Sequence, residues 1–273
     1  MSNFKPNLDL VVPWEKTKYK IGEPPYIAVF KKDGKTLAYL AAKHHVRKTF
    51  EMVDFAFEKF NPQVAVVEYE HKGRPVEIHD IGTDKPVMHE SVYTAALAVK
   101  NEIPVVLADT GYTAEIFEKV YKCSGNADWV VNAVQLKWII NNAMGCKRKS
   151  GKQGTLANEV ENFKKFMHKD WMPGPPDEDA VRKLFLSEFG ADFDSVDLET
   201  FLSNDWRAPK TGTIINQLHD QINIHVRDPF MLSNIANALN SHDVVFGIFG
   251  EGHYRSQRLV LEDMMGEPEY IWE

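Results

Sequence analysis

Cysteine is scarce in this sequence. Cys123 and Cys146 are the only two; they form neither a CxxC pair nor a zinc-like spacing with histidine, so no disulfide framework is indicated and a reducing compartment is expected. Excess positive charge is missing too. The net charge is −7 and the pI about 5.8, whereas a nucleic-acid surface needs a concentrated positive field, so no nucleic-acid partner is expected. No apolar run approaches the length of a membrane span, and Met1 to Leu10 carry no basic start ahead of an apolar core. A cytoplasmic protein without a membrane partner is the expectation. Low-complexity tracts and solenoid-length repeats are also lacking, which removes repeat architectures. What remains is a chain of 273 residues, long enough for one large α/β core with an inserted subdomain.

Residues 1–24 are Pro- and Lys-rich and read as an irregular lead-in. Two apolar runs, from Tyr26 and from Thr36, flank Asp33-Gly34, a favoured two-residue hairpin turn. Val46, Phe50, Val53, Phe57 and Phe60 then share one helical face, Asn61-Pro62 stops the helix, and Val64 to Glu70 forms a strand. Strand, helix and strand in so short a span imply a parallel pair with a right-handed crossover. Gly73 to Pro86 reads as a polar loop. A helix resumes from His89 to Lys100, a strand from Pro104 to Asp109, and another helix opens at Gly111.

Between Asp128 and Phe201 the strand signal vanishes. Three helical stretches follow, around Trp129 to Ile140, Val160 to Met167 and Val181 to Phe189. The basic separator Gly145 to Gly154 reads as a solvated loop. It is not a P-loop, because five residues rather than four stand between Gly145 and Gly151, and Gln153 stands where Ser or Thr should hold magnesium. After Ile214 the helical period continues, Asp228-Pro229 starts a further helix, and Val244 to Phe249 is a buried strand. Gly250 and Gly252 then turn the chain, leaving His253 in a loop before a helix from Ser256 to Met265. The expected fold is α/β: a mixed, largely parallel central sheet flanked by helices, with an all-helical insertion. Residues 25–127 and 204–273 form the core, and residues 128–203 the insertion or cap.

Ligands of open parallel sheets bind in the crevice at the carboxyl ends of the strands. His45, Glu68, Asp109 and His253 each follow or end a predicted strand, while Glu90, Arg227 and Asp228 each start a helix at that edge. Two imidazoles and two carboxylates can hold a divalent metal, or one imidazole can act as general base on a water. Arg227 can hold a substrate carboxylate or an oxyanion. The candidate catalytic set is therefore His45, Glu68, Glu90, Arg227 and His253, with Asp109, Asp228 and Tyr254 supporting. The candidate metal set is His45, Glu68, Glu90 and His253. Structural readings also exist: Asp109 and Asp228 as helix caps, and Glu90 as an acid placed for the helix dipole.

Tyr39-Leu-Ala-Ala-Lys-His-His45-Val and Gly250-Glu-Gly-His253 resemble the paired Gly-x-x-His motifs of the superfamily joining TraB/TIKI-type proteins, erythromycin esterases and the haem-uptake protein ChaN. Ala42 stands in the glycine position of the first motif. Val64 to Glu68, His89-Glu90 through Asp109, and Arg227-Asp228 are similar to the segments between them, and the likeness covers about residues 25–125 and 205–270. The resemblance implies a mixed-sheet α/β fold but no single activity, since members include metal-dependent peptidases, metal-independent esterases and a haem binder. The favoured expectation is a hydrolase acting on an ester, lactone or peptide, with or without Mn, Co or Zn. The alternatives are a haem or small-ligand binder using a histidine or Tyr254, and a regulatory protein whose cap presents Trp129, Trp138 and Trp171 to a partner.

Overall fold

The computed structural model describes residues 3–13, 17, 22–70, 89–125, 127–167, 169–201 and 213–272. Its strands are β1 (Tyr26–Lys32), β2 (Lys35–Ala42), β3 (Val64–Glu70), β4 (Val105–Asp109), β5 (Val244–Gly250) and β6 (Glu269–Ile271). They form one sheet in the order β4-β3-β5-β2-β1-β6. β4, β3, β5 and β2 run parallel, while β1 is antiparallel to both β2 and β6. The predicted mixed, largely parallel α/β sheet is therefore present. Asp33 and Gly34 both have positive φ, 51° and 77°, which is the geometry that lets two residues close a right-twisted hairpin. β6 has no strong signal in the sequence, being only three residues long at the sheet edge.

The helices are α1 (Arg47–Phe60), α2 (Glu90–Lys100), α3 (Ala114–Cys123), α4 (Asp128–Ser150), α5 (Leu156–Phe166), α6 (Glu178–Phe189), α7 (Leu198–Phe201), α8 (Ile214–Ile222), α9 (Asp228–Ser241) and α10 (Glu251–Met265). α1 and α2 cover one face of the sheet, where Phe50, Val53 and Ala98 pack on Leu40, Ala42, Val67 and Ile248. α9 and α10 cover the other, where Leu232, Ile235 and Leu261 pack on Tyr39, Ala41, Val66 and Phe249. Burial on both faces is why the strands read as continuous apolar runs.

The chain divides into two compact units, Met1–Gly111 with Asn223–Glu273, and Tyr112–Ile222. The second is all-helical among the described residues and is built around α4, which packs against α3, α5, α6, α7 and α8. α3 and α8 therefore belong with the insertion, beyond the boundaries at 128 and 203 read from the sequence. The basic separator is also mostly helix, not loop. α4 runs on to Ser150, because Lys147, Arg148 and Lys149 suit the negative end of a helix dipole, and Gly151, at φ 75°, closes it. Trp129, Trp138 and Trp171 are half-buried rather than exposed. The polar loop expected at Gly73 to Pro86 lies outside the described residues.

A third difference concerns His253. α10 begins at Glu251, directly after β5, so His253 sits in the first helical turn and not in a loop. Gly250 has φ −55° and ψ 144°, a conformation open to any residue, so it is not there to turn the chain.

Candidate functional site

The carboxyl ends of the four parallel strands and the amino ends of α1, α2, α9 and α10 meet at one edge. β2 and β5 end level, Ala42 opposite Gly250, and β3 carries a register irregularity between Val67 and Glu70 that falls on Glu68. A π-helical turn, Asn223–Arg227, leads straight into α9 and carries Arg227 to the same place. Helix amino ends favour negative charge, and Glu68, Glu90, Asp109 and Asp228 are the acids gathered there.

Arg227 is buried and held on several sides. Its Nε and one terminal nitrogen donate to the two Asp109 oxygens, each at 2.8 Å; the same terminal nitrogen donates to Glu68 Oε1 at 3.0 Å, and the other to Asn223 at 3.2 Å. The sequence reading set Arg227 toward a substrate carboxylate or an oxyanion; the structure sets its guanidinium against Asp109, Glu68 and Asn223. The guanidinium neutralises two buried carboxylates and positions them. Asp109 also accepts from the Gly111 N–H at 3.1 Å, so it is both a turn acceptor and the arginine's partner.

Glu68 lies at the centre. Oε2 accepts from the Gly250 N–H at 2.6 Å, and Oε1 faces His253 Nε2 at 3.4 Å as well as Arg227. Burial works against its charge, yet His253, Arg227 and the Gly250 N–H together hold it well below the usual carboxylate range. Glu68 therefore stays anionic and is no proton acceptor near neutral pH. His253 donates from Nδ1 to Asp228 Oδ1 at 2.7 Å. Burial opposes its charge, but the Glu68 and Asp228 carboxylates outweigh that and push it up to about 9. It is thus an imidazolium at neutral pH, with Nε2–H toward Glu68.

The early histidine pair resolves differently from the sequence reading. His44, not His45, joins the acids: its Nδ1 donates to Glu90 Oε1. Ala42 ends β2 on the α1 and α2 side of the sheet, and the turn that follows carries His44 to Glu90 at the start of α2. His45 is exposed, in the left-handed conformation at φ 59°. His44 Nε2 lies against Gly250, where a Cβ would meet it at 2.9 Å and Glu68 Oε2 at 3.5 Å. Gly250 is therefore a close-approach glycine. The Glu90 bond raises the His44 pKa against a partial desolvation of the ring.

Glu90 itself is only 1% exposed, and its charge is held against burial chiefly by His44. It does not cap α2; His89 does, with Nδ1 accepting from the Ser91 N–H at 3.3 Å. His89 Nε2 stands 3.5 Å from Glu90 Oε1, and burial lowers its pKa. Gln257 is a further member that the sequence did not reveal. Its amide donates to Asp228 Oδ1 at 2.7 Å while the Tyr39 hydroxyl donates to its carbonyl at 3.1 Å, so the amide's orientation is set. Tyr254 is not at the site. It is fully buried, stacked edge-on to Tyr26, and its hydroxyl pairs with Tyr270 at 2.9 Å, on the face of α10 that packs on the sheet.

The metal set read from the sequence, His45, Glu68, Glu90 and His253, is not the one brought together. Glu68 sits beside a guanidinium, which repels a dication. Among the described residues, the group of three or more potential ligands that converges is His44, His89 and Glu90, with one donor atom from each within 4.8 Å of the others. Imidazole and carboxylate are the donor types that first-row divalent ions take, so these residues fit such an ion. Among the described residues, no helix is long and apolar enough to cross a membrane. A scan against protein-family models, a search of curated proteins and a search of solved structures each return no match for this chain.

Proposed function

We propose that this chain is a cytoplasmic hydrolase that activates water with paired histidines and glutamates on an ester, lactone or peptide substrate. The observation that carries the proposal is a pair of opposed imidazoles flanking Glu68, each tied through Nδ1 to a buried carboxylate: His44 to Glu90 and His253 to Asp228. The resemblance to the TraB/TIKI, erythromycin esterase and ChaN superfamily supports the same reading, with His44 in place of His45.

The two imidazoles have different tasks because their surroundings differ. His44 is 41% exposed at the side chain, so water and substrate can reach it. With its Nδ1 proton committed to Glu90, neutral His44 has the Nε2 lone pair free to accept a proton from water. His253 is buried and charged, with Nδ1–H on Asp228 and Nε2–H toward Glu68, so it holds the Glu68 carboxylate in place beside His44 and does not meet the substrate itself. Arg227 and the Gly250 N–H keep Glu68 between the two imidazoles. If a divalent ion is used, His44, His89 and Glu90 would hold it, and it would supply Lewis-acid polarisation.

The test is a panel of ester, lactone and peptide substrates with His44→Gln beside His45→Gln. Loss of a general base costs about 100- to 10,000-fold in rate, so His44→Gln falls by that order while His45→Gln keeps most of its activity. Full activity in His44→Gln, or no hydrolysis of any substrate by the wild type, defeats the proposal.

A further inference from the structure

The two glutamates at the strand edge are satisfied in different ways. Glu68 has a guanidinium and a backbone N–H. Glu90 has the His44 and His89 imidazoles at Oε1 and no guanidinium or ammonium beside it among the described residues, and its Oε2 is buried without a hydrogen-bond partner among them. Leaving such an oxygen unmatched costs about 1–3 kcal/mol, so its presence needs a cause. Beside it, the rings of His44, His45 and His89 lie 5.3 to 6.4 Å from one another. His45 holds its place in a left-handed backbone conformation that a β-carbon disfavours, at φ 59°.

We propose that His44, His89 and Glu90 form a binding site for one first-row transition-metal ion of the zinc or cobalt kind, with the exposed His45 ring alongside. The distances suit this. Two donors on a tetrahedral ion at about 2.1 Å are roughly 3.4 Å apart; His89 Nε2 and Glu90 Oε1 already stand at 3.5 Å, and the whole set lies within 4.8 Å. Ligation through His89 Nε2 moves the ring's proton to Nδ1 and so releases the Ser91 N–H that it caps. Magnesium and calcium prefer all-oxygen shells, so the imidazoles select against them. Glu90 is the anchor, rigid in the first turn of α2, while the more exposed histidines move by small rotations to meet the ion. The site differs from the Glu68–His253 pair and binds without any turnover, so its fate is separate from that of the hydrolase proposal. The two are nevertheless coupled through His44. When an ion takes a nitrogen of that ring, the ring no longer accepts a proton from water in the metal-free manner, so metal occupancy sets which mode of chemistry the edge can support.

The experiment is titration of untagged, chelator-stripped protein with Co²⁺, followed by visible absorption, with Zn²⁺ as competitor and elemental analysis for stoichiometry. Three variants accompany it: His89→Asn, which keeps a capping acceptor for α2, Glu90→Gln, and His253→Ala. Thermal melts establish that each is folded. One equivalent of Co²⁺ displaced by Zn²⁺ is expected. His89→Asn and Glu90→Gln should each weaken binding by more than the roughly 10- to 100-fold that loss of an outer-shell partner costs, while His253→Ala binds as the wild type does. Absence of stoichiometric binding overturns the proposal. So does binding that survives both His89→Asn and Glu90→Gln, or that His253→Ala abolishes.

Discussion

The Asp228–His253 bond makes a quantitative claim about how stability depends on pH. His253 rises from the ordinary histidine value of about 6.5 to about 9. At about 1.4 kcal/mol per pKa unit, that preference is about 3 kcal/mol of folding stability. Because the folded state binds the proton more tightly than the unfolded chain, the stabilisation is complete below pH 6.5 and disappears as pH rises through about 9. Asp228→Asn is the perturbation that isolates the cause. The amide oxygen still accepts from His253 Nδ1 and from Gln257, while its nitrogen takes the place of an oxygen, Oδ2, that has no partner among the described residues. The shape is kept and the charge removed. Burial and Arg227 then oppose the imidazolium with only Glu68 to favour it, so its pKa falls. Urea unfolding at several pH values between 6.5 and 9 measures the loss in each protein, and the variant's loss should be smaller by at least about 1 kcal/mol. His44, raised by Glu90, contributes in the same direction in both proteins and cancels in the comparison. Equal losses in the two proteins, or a wild-type His253 ring resonance that titrates near 6.5, would refute the reasoning.

Two other substitutions test the parts of the edge separately. Gly250→Ala introduces a methyl group 2.9 Å from His44 Nε2 at a backbone conformation that alanine tolerates, so stability should change by less than about 1 kcal/mol while displacement of His44 lowers hydrolysis by up to about 100-fold, as rate assays and urea melts on one preparation will show. Arg227→Met leaves Asp109 and Glu68 buried without their cation and should cost about 3–5 kcal/mol at pH 7. Part of that loss should return on acidification toward pH 5, as the unpaired carboxylates protonate.

Much of the fold is written in local pattern. The hairpin, with β1 at Tyr26 and β2 ending at Ala42, is legible because Asp33-Gly34 supports one turn geometry and the flanking runs are apolar throughout. The face of α1 follows from residues spaced at three and four. What local pattern misses are boundaries and short edge elements: α4 runs through Gly145 because packing along its length outweighs the roughly 1 kcal/mol that a helical glycine costs, and β6 exists only because β1 offers it an open edge.

For the site, the direction of the chain was sufficient to bring His44-His45, Glu68, Glu90, Asp109, Arg227, Asp228 and His253 to one end of the sheet, since parallel strands all deliver their carboxyl ends to the same edge. Sequence therefore determined the edge and most of the residue types, but not His44, His89 or Gln257. It did not determine the pairing. Whether His44 or His45 meets Glu90, whether Arg227 faces a substrate or two carboxylates, and whether Gly250 bends the chain or admits a ring depends on ångström-scale contacts between segments far apart in sequence. Only the tertiary structure fixes those contacts, and they set which acids remain charged, which imidazole is open to water, and which three side chains meet around Glu90.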